Sequence, residues 1–379
     1  MDFNFTEEQI AFRNAIRRFA EQEIAPLVEE AEEKEKFPLP LFRKMGELGY
    51  LCVGYPEEYG GAGVDKITEC IYMEELNRIS AGISSAIMVQ GGLATNPIYT
   101  FGTEEQKQKY LVPAIKGEKI GAFALTEPNA GSDAASIKTK ALREGDDYVI
   151  NGSKTFITNG TQADFLTLLA RTSDEPGYHS FSLFVVPTDI AGFQVSKKLD
   201  KLGMRSSDTA ELYFDDMRIP AENLIGREGE GFIQQMMQFQ HERFSAIPMA
   251  YVWARQMIAD AVEYLKGRIV FGKPLIRKQV LRHRIAKWLT EIECLQQLAY
   301  HIVRMKMAGQ DATLMISMAK LKSGDLLTEV ADGCLQMYGG MGFMNDMKIS
   351  RFYRDSRLIS IGGGASEVMC DVIAKFSGL

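Results

Sequence analysis

The sequence lacks the features that several large classes of protein require. No apolar run approaches the roughly 20 residues of a transmembrane helix. The five cysteines form no Cys-x-x-Cys pair and do not cluster with the four histidines, which argues against a zinc site or a disulfide framework. The formal net charge of −7 has the wrong sign for a surface that follows nucleic-acid phosphates. We therefore expect no membrane span, no metal and no nucleic-acid partner.

The N-terminus lacks the charged and apolar regions of a signal peptide. Thr6, followed three residues later by Gln9, instead predicts a capping box at the start of an amphipathic helix. We therefore expect a cytoplasmic protein. At 379 residues the chain is too long for one ordinary hydrophobic core, so two or three subdomains should share the apolar residues.

The chain divides into three blocks of different periodicity. Apolar residues recur at helical spacing up to about Lys116, and short β-branched runs separated by turn residues follow up to about Asn223. Helical spacing then resumes almost to the C-terminus, with breaks at Lys273-Pro274 and at two glycine-rich loops. The pattern predicts an α+β fold with a helical domain over 1–120, a β-barrel or sandwich over 121–232 and a second helical domain over 233–379.

Two runs at strand ends could bind a flat ligand: ALTEPNAGSD at 124–133 and NGSKTFITNG at 151–160. Threonine, serine and asparagine present hydroxyls and amides to a heterocycle, and glycines let the backbone approach it closely. On composition alone, however, a pair of ordinary turns is the favoured interpretation.

These runs are part of a longer series of motifs: KLGMRSSDTAELYFDDMRIP, RIVFGKPL, QMYGGMGF and RFYRDSRLISI follow in order. With them, the sequence resembles the acyl-CoA dehydrogenases from its first helix to within a few residues of the C-terminus. The resemblance implies a C-terminal four-helix bundle and an FAD cofactor bound without the Rossmann glycine fingerprint. It also implies that an electron-transferring flavoprotein takes up the electrons.

The resemblance assigns cofactor and substrate residues one by one. The positions beside the flavin ring are Phe123, Leu125, Thr126, Phe156 and Thr158. Further cofactor positions are Ala365, Glu367, and a set that completes the FAD site of a neighbouring subunit: Arg268, Phe271, Gln336, Gly339 and Gly340. The acyl-CoA positions are Ser85, Val89, Gly91, Gly92, Arg243, Gly362 and Ser132, which also lies near the flavin. The shared cofactor site predicts a homotetramer.

The chain departs from the family at the catalytic base. Most members carry a glutamate in the C-terminal loop, at the position of Gly363, and a glycine cannot accept a proton. In the family, the backbone N–H at this position also donates to the thioester carbonyl, and a glycine keeps that donor. The activity is therefore lost, or another carboxylate supplies the base.

Glu242 is the candidate base. It lies in phase with an apolar helical stripe of Phe232, Met236, Phe239 and Ala246, so it should point to the interior. Burial raises the pKa of a carboxyl and the adjacent Arg243 lowers it, so the sign of the net shift stays open. Periodicity alone favours an ordinary ion-paired glutamate. The resemblance favours a base, because isovaleryl-CoA and long-chain acyl-CoA dehydrogenases carry theirs at this position; Glu367 is the second candidate.

The predicted activity is α,β-dehydrogenation of an acyl-CoA. The glycines Gly91, Gly92, Gly362 and Gly363 remove side chains from the expected pocket wall, which predicts a branched, cyclic or bulky acyl group. Ser84 stands where glutaryl-CoA dehydrogenases have an arginine, which disfavours a glutaryl substrate. Two alternatives stay open: a catalytically silent module that binds flavin or acyl-CoA, and an enoyl-CoA reductase that runs the reverse reaction.

Overall fold

Helices occupy the first part of the chain in the computed structural model, which describes residues 4–379; residues 1–3 of the predicted N-terminal domain lie outside it. The helices are α1 (Glu7–Phe19), α2 (Val28–Glu33), α3 (Pro40–Glu47), α4 (Lys66–Asn77), α5 (Ala81–Met88), α6 (Asn96–Phe101), α7 (Glu104–Gln106) and α8 (Val112–Ile115). The predicted capping box is confirmed. The Thr6 hydroxyl accepts from the Gln9 N–H at 3.2 Å, and the Gln9 side chain accepts from the Thr6 N–H at 3.1 Å.

The middle of the chain forms one eight-stranded sheet, which confirms the predicted β-domain. Its strands are β1 (Gly121–Ala124), β2 (Lys140–Glu144), β3 (Asp147–Thr158), β4 (Phe165–Arg171), β5 (Phe181–Pro187), β6 (Phe193–Lys198), β7 (Thr209–Pro220) and β8 (Leu224–Ile225). The strand order is β6-β7-β3-β2-β4-β5-β8, and β1 pairs in parallel with β4. Inward-facing apolar side chains such as Ile150, Leu168, Phe184 and Leu212 form the core of the sheet.

The C-terminal block is helical, as the periodicity predicted. It contains α9 (Gly231–Gly267), a hairpin of β9 (Ile269–Val270) and β10 (Lys273–Pro274), α10 (Gln279–Met307), α11 (Thr313–Tyr338), α12 (Lys348–Ser356) and α13 (Ser366–Phe376). Trp253 and Trp288 are among its largest fully buried side chains. The indole N–H of Trp253 donates to the Asn77 carbonyl at 2.7 Å, so this buried ring keeps its hydrogen bond.

Two compact units cut across the three sequence blocks. The helical unit contains the described residues up to Gln22 together with Lys66–Ala81 and Glu242–Leu379. The sheet unit contains Glu23–Asp65 and Gly82–His241. The domain boundaries at 120 and 232 stay a prediction. Over residues 4–379, no helix combines the length and apolarity needed to cross a membrane.

Candidate active site

The two motif-bearing strand ends lie side by side in the sheet unit. The Thr155 N–H donates to the Thr126 carbonyl at 2.8 Å. This bond places the turn after β1 next to the end of β3, which carries Phe156 and Thr158. Ser132 lies exposed farther along the same turn region. The two runs that the sequence offered as separate turns therefore form one surface.

The side chains predicted to contact the flavin mostly project away from the core of the sheet. Phe156 is 68% exposed and has a φ of 61°, a left-handed conformation that is rare for a bulky residue. Phe123, Thr126 and Thr158 are half-buried, whereas the side chain of Leu125 is buried. An aromatic face, two hydroxyls and an accessible backbone suit a flat, partly polar heterocycle, so these residues fit FAD.

A buried lysine that the sequence analysis missed fixes this arrangement. Lys154 is fully buried, and its Nζ donates to the Leu125 carbonyl at 2.8 Å and to Glu127 Oε1 at 2.9 Å. Glu127 also accepts the backbone N–H groups of Lys138 and Thr139 at 2.6 and 2.9 Å. Burial lowers the pKa of Lys154 to about 8, and the Glu127 charge acts in the opposite direction. The pair holds the turn after β1 against β3.

The helical segment predicted to line the acyl pocket brings Ser85 and Val89 onto one face, where both are half-buried. The expectation that Gly91 and Gly92 leave room is wrong. A Cβ on Gly92 would lie 2.8 Å from His241 Nε2, and one on Gly91 would lie 3.0 Å from the backbone oxygen of Leu51. Their missing side chains therefore permit close packing and create no open space.

The buried face at the start of α9 also differs from the expected one. The predicted interior stripe of Phe232, Met236, Phe239 and Ala246 is only half-buried. The buried positions are glutamines: Gln234, Gln235 and Gln238. Gln238 Oε1 accepts from Asn96 Nδ2 at 2.9 Å, which offsets the cost of burying this amide. The apolar spacing therefore identified a half-buried face of the helix, and the fully buried face carries glutamines.

The Glu242 side chain lies beside Gly363 in the helical unit. Gly363 has a φ of +64°, and a Cβ built on it would lie 3.4 Å from Glu242 Cγ and 3.5 Å from Glu242 Oε1. A side chain on residue 363 would therefore point at the space that the Glu242 carboxylate fills. Gly362 has ordinary neighbours, because its Cβ would lie 3.4 Å from a methyl carbon of Leu358. The second candidate base, Glu367, is exposed in the first turn of α13.

The environment of Glu242 settles the direction of its pKa shift. Glu242 is half-buried, like the apolar stripe with which it is in phase, and this partial removal from water raises its pKa, whereas the charges of Lys320 and Arg243 lower it. The same burial lowers the pKa of Arg243. A carboxylate whose conjugate acid has a raised pKa is a stronger proton acceptor, so the site suits a general base.

The motifs expected to reach a neighbouring subunit's cofactor meet at one end of the helical unit. The Tyr264 hydroxyl donates to the Tyr338 carbonyl at 3.2 Å, and the two rings stack with centroids 4.3 Å apart. This contact joins the C-terminal ends of α9 and α11. The exposed positions at or just beyond these ends are Arg268, Phe271, Gln336, Gly339 and Gly340. Ala365 precedes α13 and, together with Glu367, lines a cavity of about 670 Å³ elsewhere in the unit.

Comparisons with known proteins cover almost the whole chain. The family models of the acyl-CoA dehydrogenase N-terminal, middle and C-terminal domains match residues 6–118, 122–217 and 229–378. A short-chain specific acyl-CoA dehydrogenase of Clostridium acetobutylicum is 40% identical over 99% of both chains. An acryloyl-CoA reductase (NADH) of Anaerotignum propionicum is 37% identical over 99% of this chain and 95% of its own.

A solved structure extends the similarity to three dimensions. The crystal structure of an acyl-CoA dehydrogenase from Geobacillus kaustophilus is 38% identical and superposes with a TM-score of 0.97 over 100% of both chains. Sequence, fold and length therefore agree over the whole chain. This protein belongs to the acyl-CoA dehydrogenase family, whose enzymes are oxidoreductases that act on CH–CH groups.

Proposed function

We propose that the protein is an FAD-dependent dehydrogenase that converts an acyl-CoA thioester to the 2-enoyl-CoA. The observation that carries the proposal is the contact between Glu242 and Gly363. It supplies a carboxylate in the space that a glutamate on the C-terminal loop would occupy. The resemblance to the isovaleryl and long-chain types concerns this position of the base, and the proposal takes from it the placement of the base and not the acyl group.

In this mechanism Glu242 accepts the α-proton on a carboxylate oxygen. The backbone N–H of Gly363 donates to the thioester carbonyl, where negative charge develops as that proton leaves. Phe156, Thr126 and Thr158 are the residues that would hold and orient the flavin ring. FAD, when bound, supplies the acceptor for the β-hydride.

The Glu242→Gln variant tests this function. The amide keeps the size and much of the polarity of the side chain but cannot accept the proton. We expect single-turnover flavin reduction to fall by roughly 10²- to 10⁴-fold, with FAD content unchanged. Glu263→Gln is the matched control, since Glu263 is an exposed, ion-paired carboxylate on the same helix. A near-normal rate in Glu242→Gln would reject Glu242 and make Glu367 the next candidate.

Two alternatives predict different behaviour of the bound flavin. A silent binding module would hold flavin that no acyl-CoA reduces. An enoyl-CoA reductase would use the same residues in reverse, and the similarity to an acryloyl-CoA reductase keeps this direction open. To distinguish the dehydrogenase from the reductase, the flavin is first reduced and the protein is then mixed with an electron-transferring flavoprotein or with an enoyl-CoA. Rapid reoxidation by that partner supports the dehydrogenase, and preferred reoxidation by an enoyl-CoA supports the reductase.

The acyl group is proposed to be short. The prediction of a bulky group relied on four glycines, and each has neighbours at or within ordinary contact distance of an added Cβ. The similarity to a short-chain specific dehydrogenase supports a short chain. A panel of butyryl-, isovaleryl-, cyclohexanoyl- and palmitoyl-CoA, scored by flavin reduction, should give the highest kcat/KM with butyryl-CoA. A higher value with a branched or cyclic acyl group would restore the original prediction.

The oligomer is proposed to be a homotetramer. Phe271 is 90% exposed and Phe343 is 82% exposed at the end of the helical unit that carries Arg268 and Gln336. Large apolar side chains in such a position favour a subunit interface. Light scattering should give four chains for each particle, and a monomer that retains FAD would contradict the shared cofactor site.

A further inference from the structure

Lys320 on α11 is a buried cation to which the proposed chemistry gives no task. Only 2% of its surface is exposed. Its Nζ donates to the Ile359 carbonyl at 2.5 Å and to the Gly364 carbonyl at 3.3 Å. These carbonyls lie on either side of Gly363 in the chain. One ammonium group therefore links both ends of the loop that contacts Glu242.

The loop also packs directly on the helix that carries this lysine. A Cβ on Gly324 would lie 3.0 Å from Ser360 Cβ and 3.5 Å from Ser366 Oγ. Gly324 and Lys320 are one helical turn apart and share a face of α11. The loop is therefore fixed at two neighbouring points of α11. It packs closely on Gly324, and it accepts two hydrogen bonds from Lys320.

The charge of Lys320 acts on Glu242 from a different element. Burial lowers the pKa of Lys320 to about 8, while the Glu242 charge raises it and the Arg243 charge lowers it. Reciprocally, Lys320 and Arg243 are the charged groups that lower the pKa of Glu242 among residues 4–379. Carbonyl oxygens satisfy the ammonium hydrogens without neutralising the charge. Its field therefore remains available to Glu242.

We propose that Lys320 is a positioning residue for the dehydrogenation, which holds the Gly363 loop against Glu242 and brings a positive charge close to the Glu242 carboxylate. The inference rests on the proposed role of Glu242 as the base. It assigns Lys320 no proton transfer with the substrate. A purely structural clamp would make the same two hydrogen bonds but would leave the pH dependence of proton removal unchanged.

Three variants separate the charge from the hydrogen bonds. Lys320→Met removes both. Lys320→Gln removes the charge and keeps an amide that can donate to a carbonyl. Lys322→Met is the control, because Lys322 lies on the same helix but is only half-buried and is paired with Glu291 at 2.5 Å. FAD content, measured first, should be unchanged in Lys320→Gln and in the control.

The pH profile of flavin reduction is the first readout. With the positive charge removed, the midpoint at which the base ionises should rise by about 1 pH unit in both Lys320 variants. Below that midpoint, the rate should fall about tenfold, which corresponds to the same unit. Lys320→Met should also lose limiting rate at high pH, because the loop is no longer held. Lys322→Met should retain the wild-type profile.

The second readout isolates proton removal from hydride transfer. An acyl-CoA analogue with sulfur in place of the β-methylene has α-protons but no β-hydride to donate. Exchange of its α-protons into D₂O, followed by mass spectrometry, should show the same shift of midpoint. An unchanged midpoint in Lys320→Gln, or loss of FAD from both variants, would overturn the positioning role. If Glu242→Gln also kept its activity, the proposed role of Glu242 as the base would fail, and the role of Lys320 would fail with it.

Discussion

Two buried lysines perform comparable tasks in the two units of the molecule. Lys154 in the sheet unit and Lys320 in the helical unit each donate to a backbone carbonyl of a loop, and burial lowers the pKa of each to about 8. Their partners differ. Lys154 contacts the Glu127 carboxylate at 2.9 Å, whereas Lys320 has no carboxylate within 4.0 Å among residues 4–379.

Lys154 is therefore part of a structural ion pair, whereas Lys320 is a cation whose electric field can act on a more distant group. The charge of Lys154 is compensated where it lies, so the pair stabilises the turn after β1 and has little effect beyond it. The nearest acceptors of Lys320 are carbonyl dipoles, and its charge interacts with the Glu242 charge without a direct ion pair. A lysine that only fixes a loop and one that also acts on the proposed base can therefore be distinguished by their nearest acceptors.

Breaking the ion pair should have the largest effect on stability. Glu127→Gln leaves Lys154 buried without its counter-charge, and removal of one partner of a buried pair costs about 3–5 kcal/mol of unfolding free energy. Urea unfolding at pH 6 should show this loss. Glu144→Gln is the matched control, because its pair with Arg218 on the same sheet is exposed and contributes at most about 1 kcal/mol. Equal losses in the two variants would contradict the comparison.

Both buried lysines should make the free energy of unfolding depend on pH. Each has a folded-state pKa of about 8, below the unfolded value of 10.5. The unfolded chain therefore binds more protons between these values, and stability rises with pH across this window, by about 3 kcal/mol for each lysine. Urea unfolding at several pH values should show a shallower rise in Lys320→Met.

In Glu127→Gln, Lys154 loses the charge that raises its pKa, so its folded-state pKa should fall further. The pH range over which stability rises should therefore begin at a lower pH, and this is where the two lysines should differ. Glu242→Gln should extend the window for Lys320 to a smaller extent, since the two groups form no direct ion pair. An equal extension in the two variants would show that the partners act alike.

A smaller effect is expected when a methyl group is added beside Glu242. Gly363→Ala places a Cβ 3.4 Å from Glu242 Cγ at a φ of +64°, and the left-handed backbone alone costs about 1–2 kcal/mol. Gly309→Ala is a matched control, because Gly309 has a φ of +68° and no atom within 4 Å of an added Cβ. Both variants should lose similar stability in urea, but only Gly363→Ala should slow flavin reduction.

Local sequence rules predicted much of the fold. The capping box at Thr6 depends on residues three apart, and the order of helices and strands follows from hydrophobic periodicity. The pairing of Glu242 with Gly363 was predicted from the family resemblance, because one position lacks a carboxylate that the other supplies. The structure adds the contact between them.

The remaining features depend on residues that are distant in sequence. Lys154 meets a carbonyl 29 residues away and Lys320 meets one 39 residues away, so neither partner is visible in a local pattern. A weak signal existed for Lys320, which is in phase with the buried Ile316 and Leu327 on α11. Whether a glycine creates space, as was expected at Gly92, depends on what packs against it.

The shared space between residues 242 and 363 also suggests how a base can change its position during evolution. A chain with glutamate at both positions would hold two carboxyls in one volume and would keep a proton between them, because neighbouring like charges raise one pKa. Such an intermediate retains one ionised carboxylate beside the substrate. Either glutamate can then be lost while one carboxylate stays in the same place, so the chemistry constrains the shared space and not the sequence position of the carboxylate.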